Sequence, residues 1–385
     1  MNIQLDLKRF DYITLICVLA LCAFGVVMVG SSMGLGEGVF HSTFINQIVF
    51  ASSGIILMLV FAFIRFDVIA RFYIPMYGVL IFLLIAVFFI NPGDSVVNRW
   101  IGVEVFGIEL GIQPSEFAKI ILVIVLAKVI DKYKENINNI LILMMIFVIS
   151  ITPFVLVFLQ PSYSASMVIV YIMLVMLYIG GISYKYIIIP TVILAPLLLF
   201  LFIDLHAENP IFITEVFADW QIDRIWYFFY PEQDFSDRTF QNRQAISAIS
   251  AGLLTGQGLF NNPVFVPEPS NDFIFSIIAS EFGFLGSLVV LAVVFIIVIR
   301  AFVLANRSHS NLGRLIASGI GAIIAFQALV HVAVNIRLVP NTGINFPFLS
   351  SGGSSMWVFM AGIGIILNIG MVKEVSMFDD IYQSN

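Results

Sequence analysis

Runs of about 20 predominantly apolar residues recur along almost the whole chain, and few folds can accommodate them. A helix of about 20 residues crosses the hydrocarbon core of a bilayer, and it satisfies its own backbone polar groups there. Only 11% of the 385 residues are charged, against about 25% in soluble proteins. The sequence therefore predicts an all-α, polytopic integral membrane protein, a single transmembrane domain over residues 1–385. About ten transmembrane helices are predicted: 12–32, 45–64, 71–90, 114–131, 139–159, 164–183, 186–204, 272–299, 313–336 and 353–372.

The basic residues are divided unevenly between the two sides of this predicted bundle. Of the 18 Lys and Arg residues, twelve fall on the side of both termini, five fall on the other side, and Lys119 falls inside a span. Because cytoplasmic loops carry an excess of Lys and Arg, both termini are predicted to be cytoplasmic. The largest connection, the loop at about 206–271 between spans seven and eight, is then extracellular.

Two of the outer connections have their own sequence patterns. Alternation of apolar residues in WIGVEVFGIEL, residues 100–110, predicts a short hairpin. The aromatic-rich segment FITEVFADWQIDRIWYFFYP, residues 212–231, is typical of an amphipathic helix at a membrane interface. Chemistry is therefore expected on the outer side, close to the membrane surface.

Asp272 is the first candidate for that chemistry, with Glu268 four residues before it. Asp272 is predicted to lie at the junction of a polar loop and the eighth span, about one turn into the apolar stretch. An ionised group costs roughly 2.5 kcal/mol or more at the bilayer centre and less near the interface, so such residues are functional candidates. The alternative is a structural role, in which the carboxylate caps the helix N-terminus.

Glu116 and Lys119 are charged residues within the fourth predicted span, in the run QPSEFAK. At a spacing of three residues they share one helix face. They either form a buried structural ion pair or line a polar pocket for a charged ligand.

Arg99 and Trp100 precede that span. They are either an interfacial aromatic residue beside a snorkelling Arg, or a cation that meets a phosphate group. Arg337 is a further cation on the outer side.

Arg243 lies ahead of a run with Gly252, Gly256 and Gly258. These glycines permit tight turns and close backbone approach, and without a following GK[ST] the run is no Walker sequence. The segment SSGGSS, which contains Ser351 and Ser354, leads directly into the last span. Hydroxyl groups at a helix N-terminus suit anion binding, whereas the alternative is a re-entrant turn packed among the helices.

The four histidines are scattered and do not have the spacing of metal ligands. The sequence is compatible with a site for a hard divalent cation, Mg²⁺ or Mn²⁺, held by Asp272, substrate phosphates and water. Nothing in the sequence indicates a nucleic-acid partner.

Several of these segments together resemble the SEDS family, which includes RodA, FtsW and SpoVE. The similarity follows one order over nearly the whole chain: NRWIG, QPSEFAK, LQPSYSAS, ISAGLLTGQGLF, VPEPSNDFIFSIIASEFGFLG and NTGINFPFLSSGGSS. The resemblance implies a ten-span fold with an outward-facing active site in the bacterial cytoplasmic membrane. It also implies polymerisation of lipid II, a lipid-linked sugar precursor, into glycan strands, together with a class B penicillin-binding protein that crosslinks them.

The resemblance also suggests roles for single residues. Asp272 corresponds to the family's loop aspartate, Glu116 and Lys119 to its buried acid and lysine, and Arg99 and Trp100 to its Arg-Trp pair. The chain departs from the family pattern at three positions: Ser162 replaces the Asp of a Q-P-D-x-G sequence, Asn271 replaces a Thr, and Ser351 replaces a Tyr.

The expected mechanism has Asp272 as the base that accepts a proton from the attacking sugar hydroxyl. Positive charge for the leaving pyrophosphate is expected from Arg99, Lys119, Arg243, Arg337 or a divalent cation. Glu268, Ser351 and Ser354 are expected to line the same cavity. Two other functions fit the sequence: a lipid II flippase that moves the lipid without bond chemistry, and a catalytically weak scaffold that recruits the penicillin-binding protein.

Overall fold

The computed structural model describes residues 2–34, 36, 38, 41–90, 99–105, 108–206, 214, 219–231 and 239–375. Apart from two short strand pairs, these residues are mainly helical. The α-helices are α1 (Tyr12–Ser32), α2 (Ser42–Phe63), α3 (Phe66–Arg71), α4 (Tyr73–Ile90), α5 (Pro114–Lys132), α6 (Ile140–Leu159), α7 (Tyr163–Ile179), α8 (Lys185–Leu205), α9 (Asp219–Phe229), α10 (Phe240–Gly252), α11 (Ile274–Arg307), α12 (Asn311–Asn335) and α13 (Gly353–Met371). The strands are β1 (Asn2–Leu5), β2 (Ile101–Val105), β3 (Ile108–Ile112) and β4 (Val372–Val375).

A helix occupies each of the ten predicted spans, which confirms the all-α membrane fold. Within the part of the chain that the structure describes, seven of them are long and apolar enough to cross a membrane: α1, α2, α4, α6, α11, α12 and α13. The other three are α5, which carries the charges of Glu116 and Lys119, α7, which has 17 residues, and α8. Membrane crossing by these three stays a prediction.

The interior of the bundle is built around α5, α12 and α13, whose side chains are mostly buried. Small residues allow α2 and α13 to lie close together. A Cβ atom at Gly364 would lie 2.3 Å from the backbone oxygen of Met58, so a larger residue would force the two backbones apart. The outer helices α4 and α6 instead expose large apolar side chains such as Phe82 and Leu141, which suits contact with lipid.

The helix α11 is interrupted at Gly283, whose φ of +66° is accessible to glycine without steric cost. The carbonyl groups of Ser280 and Glu281, which the break leaves without helical partners, accept hydrogen bonds of 3.0 and 2.9 Å from the N–H groups of Gln257 and Gly258. The glycine-rich run therefore packs against the backbone of α11. The prediction of close backbone approach is confirmed at Gly252 and Gly256, where an added Cβ atom would lie 1.8 and 2.1 Å from backbone oxygens of α11.

The two short strand pairs lie in different parts of the chain. β2 and β3 form the predicted antiparallel hairpin, with Ile101 opposite Ile112. β1 and β4 pair antiparallel, with Asn2 opposite Val375, so the two ends of the described chain lie side by side. In the predicted extracellular loop, Asp219–Phe229 is a helix as expected. Residues 207–213, 215–218 and 232–238 of that loop lie outside the described residues.

Candidate active site

Asp272 lies in a turn immediately before α11, where its side chain is half-buried. The helix begins at Ile274, and its N-cap position is Phe273, without a side-chain cap. The expectation that Asp272 lies about one turn inside the apolar helix is therefore wrong, because the turn also includes Phe273. The capping alternative does not fit either, since Asp272 is not at the cap position. Its carboxylate is left free of a helix-capping role.

Asn335, at the end of α12, fixes the backbone on both sides of this turn. Its Nδ2 atom donates a hydrogen bond of 3.0 Å to the backbone oxygen of Asp272, and its Oδ1 atom accepts one of 3.1 Å from the N–H of Ser276. Asn335 is fully buried. Breaking a hydrogen bond in the protein interior costs free energy. The amide of Asn335 therefore holds the turn in one position relative to α12.

The segment between α12 and α13 packs against the same turn from the other side. The N–H of Ser351 donates to the backbone oxygen of Ser270 at 2.8 Å, and the hydroxyl of Ser350 donates to that of Asn271 at 2.7 Å. Gly343 faces the carboxylate: a Cβ atom placed there would lie 3.4 Å from Oδ2 of Asp272. The SSGGSS segment therefore acts as a packed turn that supports the loop of Asp272.

Three charged side chains act on the carboxyl group of Asp272. Burial raises the pKa of this carboxyl above its ordinary value, the guanidinium of Arg99 lowers the pKa, Glu268 raises it, and Arg224 lowers it. Arg99 immediately precedes the β2–β3 hairpin, Arg224 is on α9, and Glu268 belongs to the same loop as Asp272. Three segments of the chain thus contribute the two carboxylates and two guanidinium groups whose charges act at this site.

The two guanidinium groups lie near each other as well as near Asp272. Burial lowers the pKa of Arg224; the charge of Asp272 raises it and that of Arg99 lowers it. Arg224 also donates a hydrogen bond of 3.4 Å to the backbone oxygen of Asn341. Among the described residues, the buried Nε atom of Arg99 has no hydrogen-bond partner. An N–H group held in this way is suited to an oxygen of an anionic ligand.

Arg337 contacts the helix that carries Arg224, whereas Arg243 lies on the exposed face of α10. Arg337 donates a hydrogen bond of 3.1 Å to the backbone oxygen of Phe228, and with Arg224 it lines a small cavity of about 50 Å³. Arg337 therefore holds α9, the helix of Arg224. Arg243 is exposed on α10, and its neighbour Asn242 lines the cavity instead. Arg238 lies outside the described residues.

Trp100 and Ser354 connect the hairpin to the rest of the bundle. The ring of Trp100 packs on Gly111, where an added Cβ atom would lie 2.9 Å from the ring. The buried hydroxyl of Ser354 accepts from the N–H of Gln113 at 2.9 Å and donates to the backbone oxygen of Gly111 at 3.1 Å. Ser354 thereby fixes the position of β3 against the first turn of α13.

Glu116 and Lys119 form a buried ion pair, with 2.7 and 2.8 Å between Nζ of Lys119 and the two carboxylate oxygens. The ammonium group also lies 6.0 Å from the ring centroid of Phe359 on α13. Of the two interpretations of this pair, the structural ion pair is the one observed. It fixes the first turn of α5, which directly follows the hairpin.

Glu268 has a second environment on the other side of its loop. With the end of α1, residues 260–269 and α11, it encloses a cavity of about 510 Å³. The buried carboxylate of Glu281 faces this cavity, where it accepts hydrogen bonds from the hydroxyl of Ser31 and from the N–H of Phe260. Glu281 thus connects α1, the loop and α11.

The sequence-based selection missed four residues that shape this site: Arg224, Asn335, Gly343 and Glu281. A signal was available for Arg224, because it is a cation on the predicted interfacial helix. Among the described residues, no group of three or more His, Cys, Asp and Glu side chains could hold a metal ion. Asp272 and Glu268 are a pair of carboxylates, the type of protein ligand set that Mg²⁺ takes when substrate phosphates supply the remaining oxygens.

Known proteins resemble this chain over nearly its whole length. The family described as "Cell cycle protein", which covers FtsW, RodA and SpoVE, matches residues 12–374. The probable peptidoglycan glycosyltransferase FtsW of Trichlorobacter lovleyi is 32% identical over 376 residues, 94% of this chain and 93% of the relative. Stage V sporulation protein E of Bacillus subtilis is 30% identical over 93% of this chain and 96% of the relative.

Solved structures share the fold. A chain from the structure named "Structural coordination of polymerization and crosslinking by a peptidoglycan synthase complex" has a TM-score of 0.77 at 24% identity, covering 94% of this chain and 97% of that one. The rod shape determining protein RodA of Thermus thermophilus has a TM-score of 0.67 at 22% identity, with coverage of 94% and 96%. The resemblance predicted from the sequence motifs is confirmed: this chain belongs to the FtsW/RodA/SpoVE (SEDS) family.

Proposed function

We propose that this chain polymerises lipid II into glycan strands at the outer face of the bacterial cytoplasmic membrane, with Asp272 as the general base. The chain is a peptidoglycan glycosyltransferase, as its family and the names of its relatives indicate. Its activity would serve wall synthesis for cell shape, division or sporulation. The observation that carries the proposal is the half-buried carboxyl of Asp272 in the turn before α11, a group on which the charges of Arg99 and Arg224 act.

The reaction is a displacement at the anomeric carbon of one lipid-linked sugar. The 4-hydroxyl oxygen of a second sugar attacks C1, and its proton passes to the carboxylate of Asp272. The bond between C1 and the pyrophosphate oxygen breaks with inversion, and undecaprenyl pyrophosphate leaves with the bonding electron pair. A positioned carboxylate base contributes roughly 10²–10⁴-fold to such a step.

The environment of Asp272 suits a base. Burial raises the pKa of its carboxyl, and a carboxylate with a higher pKa accepts a proton more readily. Asn335 and Gly343 act on the position of this group, the first through the backbone and the second by leaving room for the carboxylate. The hydrogen bond from Asn335 reduces the freedom of the turn that carries the base, which favours a reactive arrangement.

Positive charge for the leaving group comes from Arg99 and Arg224 in this proposal. Arg99 brings a buried N–H without a protein partner among the described residues, and a guanidinium fork matches phosphate oxygens. Arg337 acts by holding the helix of Arg224, and Arg243 acts from the exposed face of α10. Lys119 is occupied by Glu116, so its role is to fix the start of α5.

The remaining proposed residues shape the surroundings of Asp272: Trp100, Glu268, Ser351 and Ser354. A divalent cation, Mg²⁺ or Mn²⁺, would be held by Asp272 and Glu268 together with substrate phosphates, and it would supply further neutralisation of pyrophosphate charge. The neighbouring guanidinium groups supply part of that charge without a metal.

A class B penicillin-binding protein is the proposed partner. The structurally similar chain noted above comes from a structure named for a peptidoglycan synthase complex that coordinates polymerization and crosslinking. The proposed orientation has both termini in the cytoplasm. The pairing of β1 with β4 supports a common side for the two termini, and the excess of Lys and Arg there supports the cytoplasm.

The test is polymerisation of lipid II by the purified chain in detergent, with and without its penicillin-binding protein. Micelles offer no membrane to cross, so glycan chains in this assay distinguish a polymerase from a flippase or a scaffold. Asp272→Asn keeps the size of the side chain and removes the base, and we expect the rate to fall by at least about 100-fold. Full activity of a folded Asp272→Asn variant would rule out Asp272 as the base.

A further inference from the structure

A further cavity lies at the end of the bundle opposite Asp272. α11 begins beside Asp272 and runs for 34 residues, about 50 Å at 1.5 Å per residue. Its last two turns, the segment after β1 and the end of α13 enclose a cavity of about 520 Å³. Five basic residues line it: Lys8, Arg9, Arg300, Arg307 and His309.

The positive charge in this cavity exceeds the negative charge. Asp11 is the acidic residue among those that line it, and Asp11 is occupied by Arg300 through hydrogen bonds of 3.0 and 2.8 Å. The hydroxyl of Thr14 also donates to Asp11, at 2.6 Å. The positive charges of Lys8, Arg9 and Arg307 therefore exceed the negative charge that lines the cavity.

Those three cations are weakly compensated by the protein. Arg9 has a distant contact of 3.8 Å with Asp6. Within the described ranges, neither the Lys8 ammonium nor the Arg307 guanidinium is within 4.0 Å of a carboxylate oxygen. Like charges gathered around a cavity repel one another, and an anion bound there would relieve that repulsion.

We propose that this cavity binds the phosphate headgroup of an anionic phospholipid of the adjacent leaflet. Basic pockets between transmembrane helices on the cytoplasmic side suit such headgroups. Apolar side chains that suit contact with acyl chains lie near the same end, where α1 and α11 expose Ile13, Ile16, Ile299 and Phe302. A free phosphate ion would contact only the basic residues and would leave this apolar surface uncovered.

A bound lipid would connect segments that are far apart in the chain. Lys8 and Arg9 follow β1, which pairs with β4 after the end of α13, while Arg307 ends α11. A headgroup that contacts both sides stabilises the folded protein, because a ligand that binds only the folded state shifts the unfolding equilibrium.

The experiment measures thermal unfolding of the full chain in an uncharged detergent, with increasing amounts of added lipid. We expect dioleoyl phosphatidylglycerol to raise the melting temperature, and dioleoyl phosphatidylcholine at equal concentration to raise it much less. Inorganic phosphate and glycerol 3-phosphate test whether a soluble phosphate group, without acyl chains, stabilises the protein equally well. Equal stabilisation by either soluble ion, or no difference between the two lipids, overturns the proposal.

The Lys8→Gln/Arg307→Gln double variant locates the site. Both side chains are exposed, so folding should be retained, and we expect the apparent affinity for phosphatidylglycerol to fall about tenfold or more. The single variant Lys8→Gln should give a smaller loss in the same direction. These readouts are independent of glycan polymerisation.

A matched control removes the same charge from the same end of the bundle. In Lys132→Gln/Lys134→Gln the lost cations lie at and after the end of α5, which Asp131 ties to Asn311 of α12 by a hydrogen bond of 2.9 Å. We expect this variant to keep most of its affinity for phosphatidylglycerol. An equal loss in the two double variants would show general surface attraction and would overturn the site.

Discussion

The side-chain amide of Asn335 donates a hydrogen bond of 3.0 Å to the backbone oxygen of Asp272, across 63 residues of sequence. The same amide accepts from the N–H of Ser276 and donates to the backbone oxygen of His331 within its own helix. One buried side chain thus couples the end of α12 to the turn that carries the proposed base.

Asn335→Ala should affect both stability and activity. Removal of the amide takes one hydrogen bond from the backbone oxygen of Asp272 and one from the N–H of Ser276, which keeps its bond to the backbone oxygen of Phe273, and it releases the turn. We expect a loss of about 1–3 kcal/mol in the free energy of unfolding. The polymerisation rate per folded molecule should fall as well. Chemical unfolding and a lipid II assay measure the two effects.

Asn368→Ala is the matched control for this prediction. Asn368 is also a buried asparagine, bonded to the N–H of Phe66 and the backbone oxygen of Ala62, far from Asp272. It should lose similar stability but keep its rate per folded molecule. A similar loss of rate in both variants would contradict a positioning role for Asn335.

The pH dependence of polymerisation should respond to Glu268. Asp272 acts as a base only when its carboxyl is deprotonated, so activity should be lost as the pH falls through its pKa. Because the charge of Glu268 raises that pKa, Glu268→Gln should shift the acid limb of kcat/KM to lower pH. Glu135→Gln, a substitution in the turn after α5, should leave the limb in place. An unchanged acid limb in Glu268→Gln would argue against Asp272 as the titrating group.

Gly343→Ala tests the space beside the carboxylate. Gly343 has a φ of +69°, and the added Cβ atom would lie 3.4 Å from Oδ2 of Asp272. Backbone strain alone should cost about 1–2 kcal/mol of stability. Gly38→Ala has the same strain, with a φ of +78° and no atom of the described residues within 4 Å of the added Cβ. We expect a loss of activity per folded molecule in Gly343→Ala only; equal activity in the two variants would contradict the contact.

Breaking the pair of Glu116 and Lys119 should destabilise the protein more than replacing it. Glu116→Ala leaves a buried ammonium group without a partner, and we expect a loss of about 3–5 kcal/mol. The double variant Glu116→Gln/Lys119→Met removes both charges and should recover much of that loss. Melting temperatures of the three proteins measure the difference, and an unchanged value for Glu116→Ala would count against the pairing.

The membrane-spanning pattern and several site residues were predictable because they depend on short stretches of chain. The length of each apolar run determines where a helix forms, as the agreement at all ten positions shows. The Glu116–Lys119 pair follows from a spacing of three residues on one helix. The hairpin at β2 and β3 follows from alternation over eleven residues. Each prediction needed only local geometry.

The surroundings of Asp272 depended instead on contacts between distant segments. Arg224, Asn335 and Gly343 lie near Asp272 because α9, α12 and the segment after it pack against one turn, and no local pattern specifies that packing. The start of α11 two residues beyond Asp272 also required the neighbouring segments, which bond to the loop backbone and extend it. The amino-acid pattern alone was sufficient to specify an all-helical membrane bundle with a carboxylate in the loop before the eighth span. The cations and amides around that carboxylate became known from the fold, since long-range packing sets those distances.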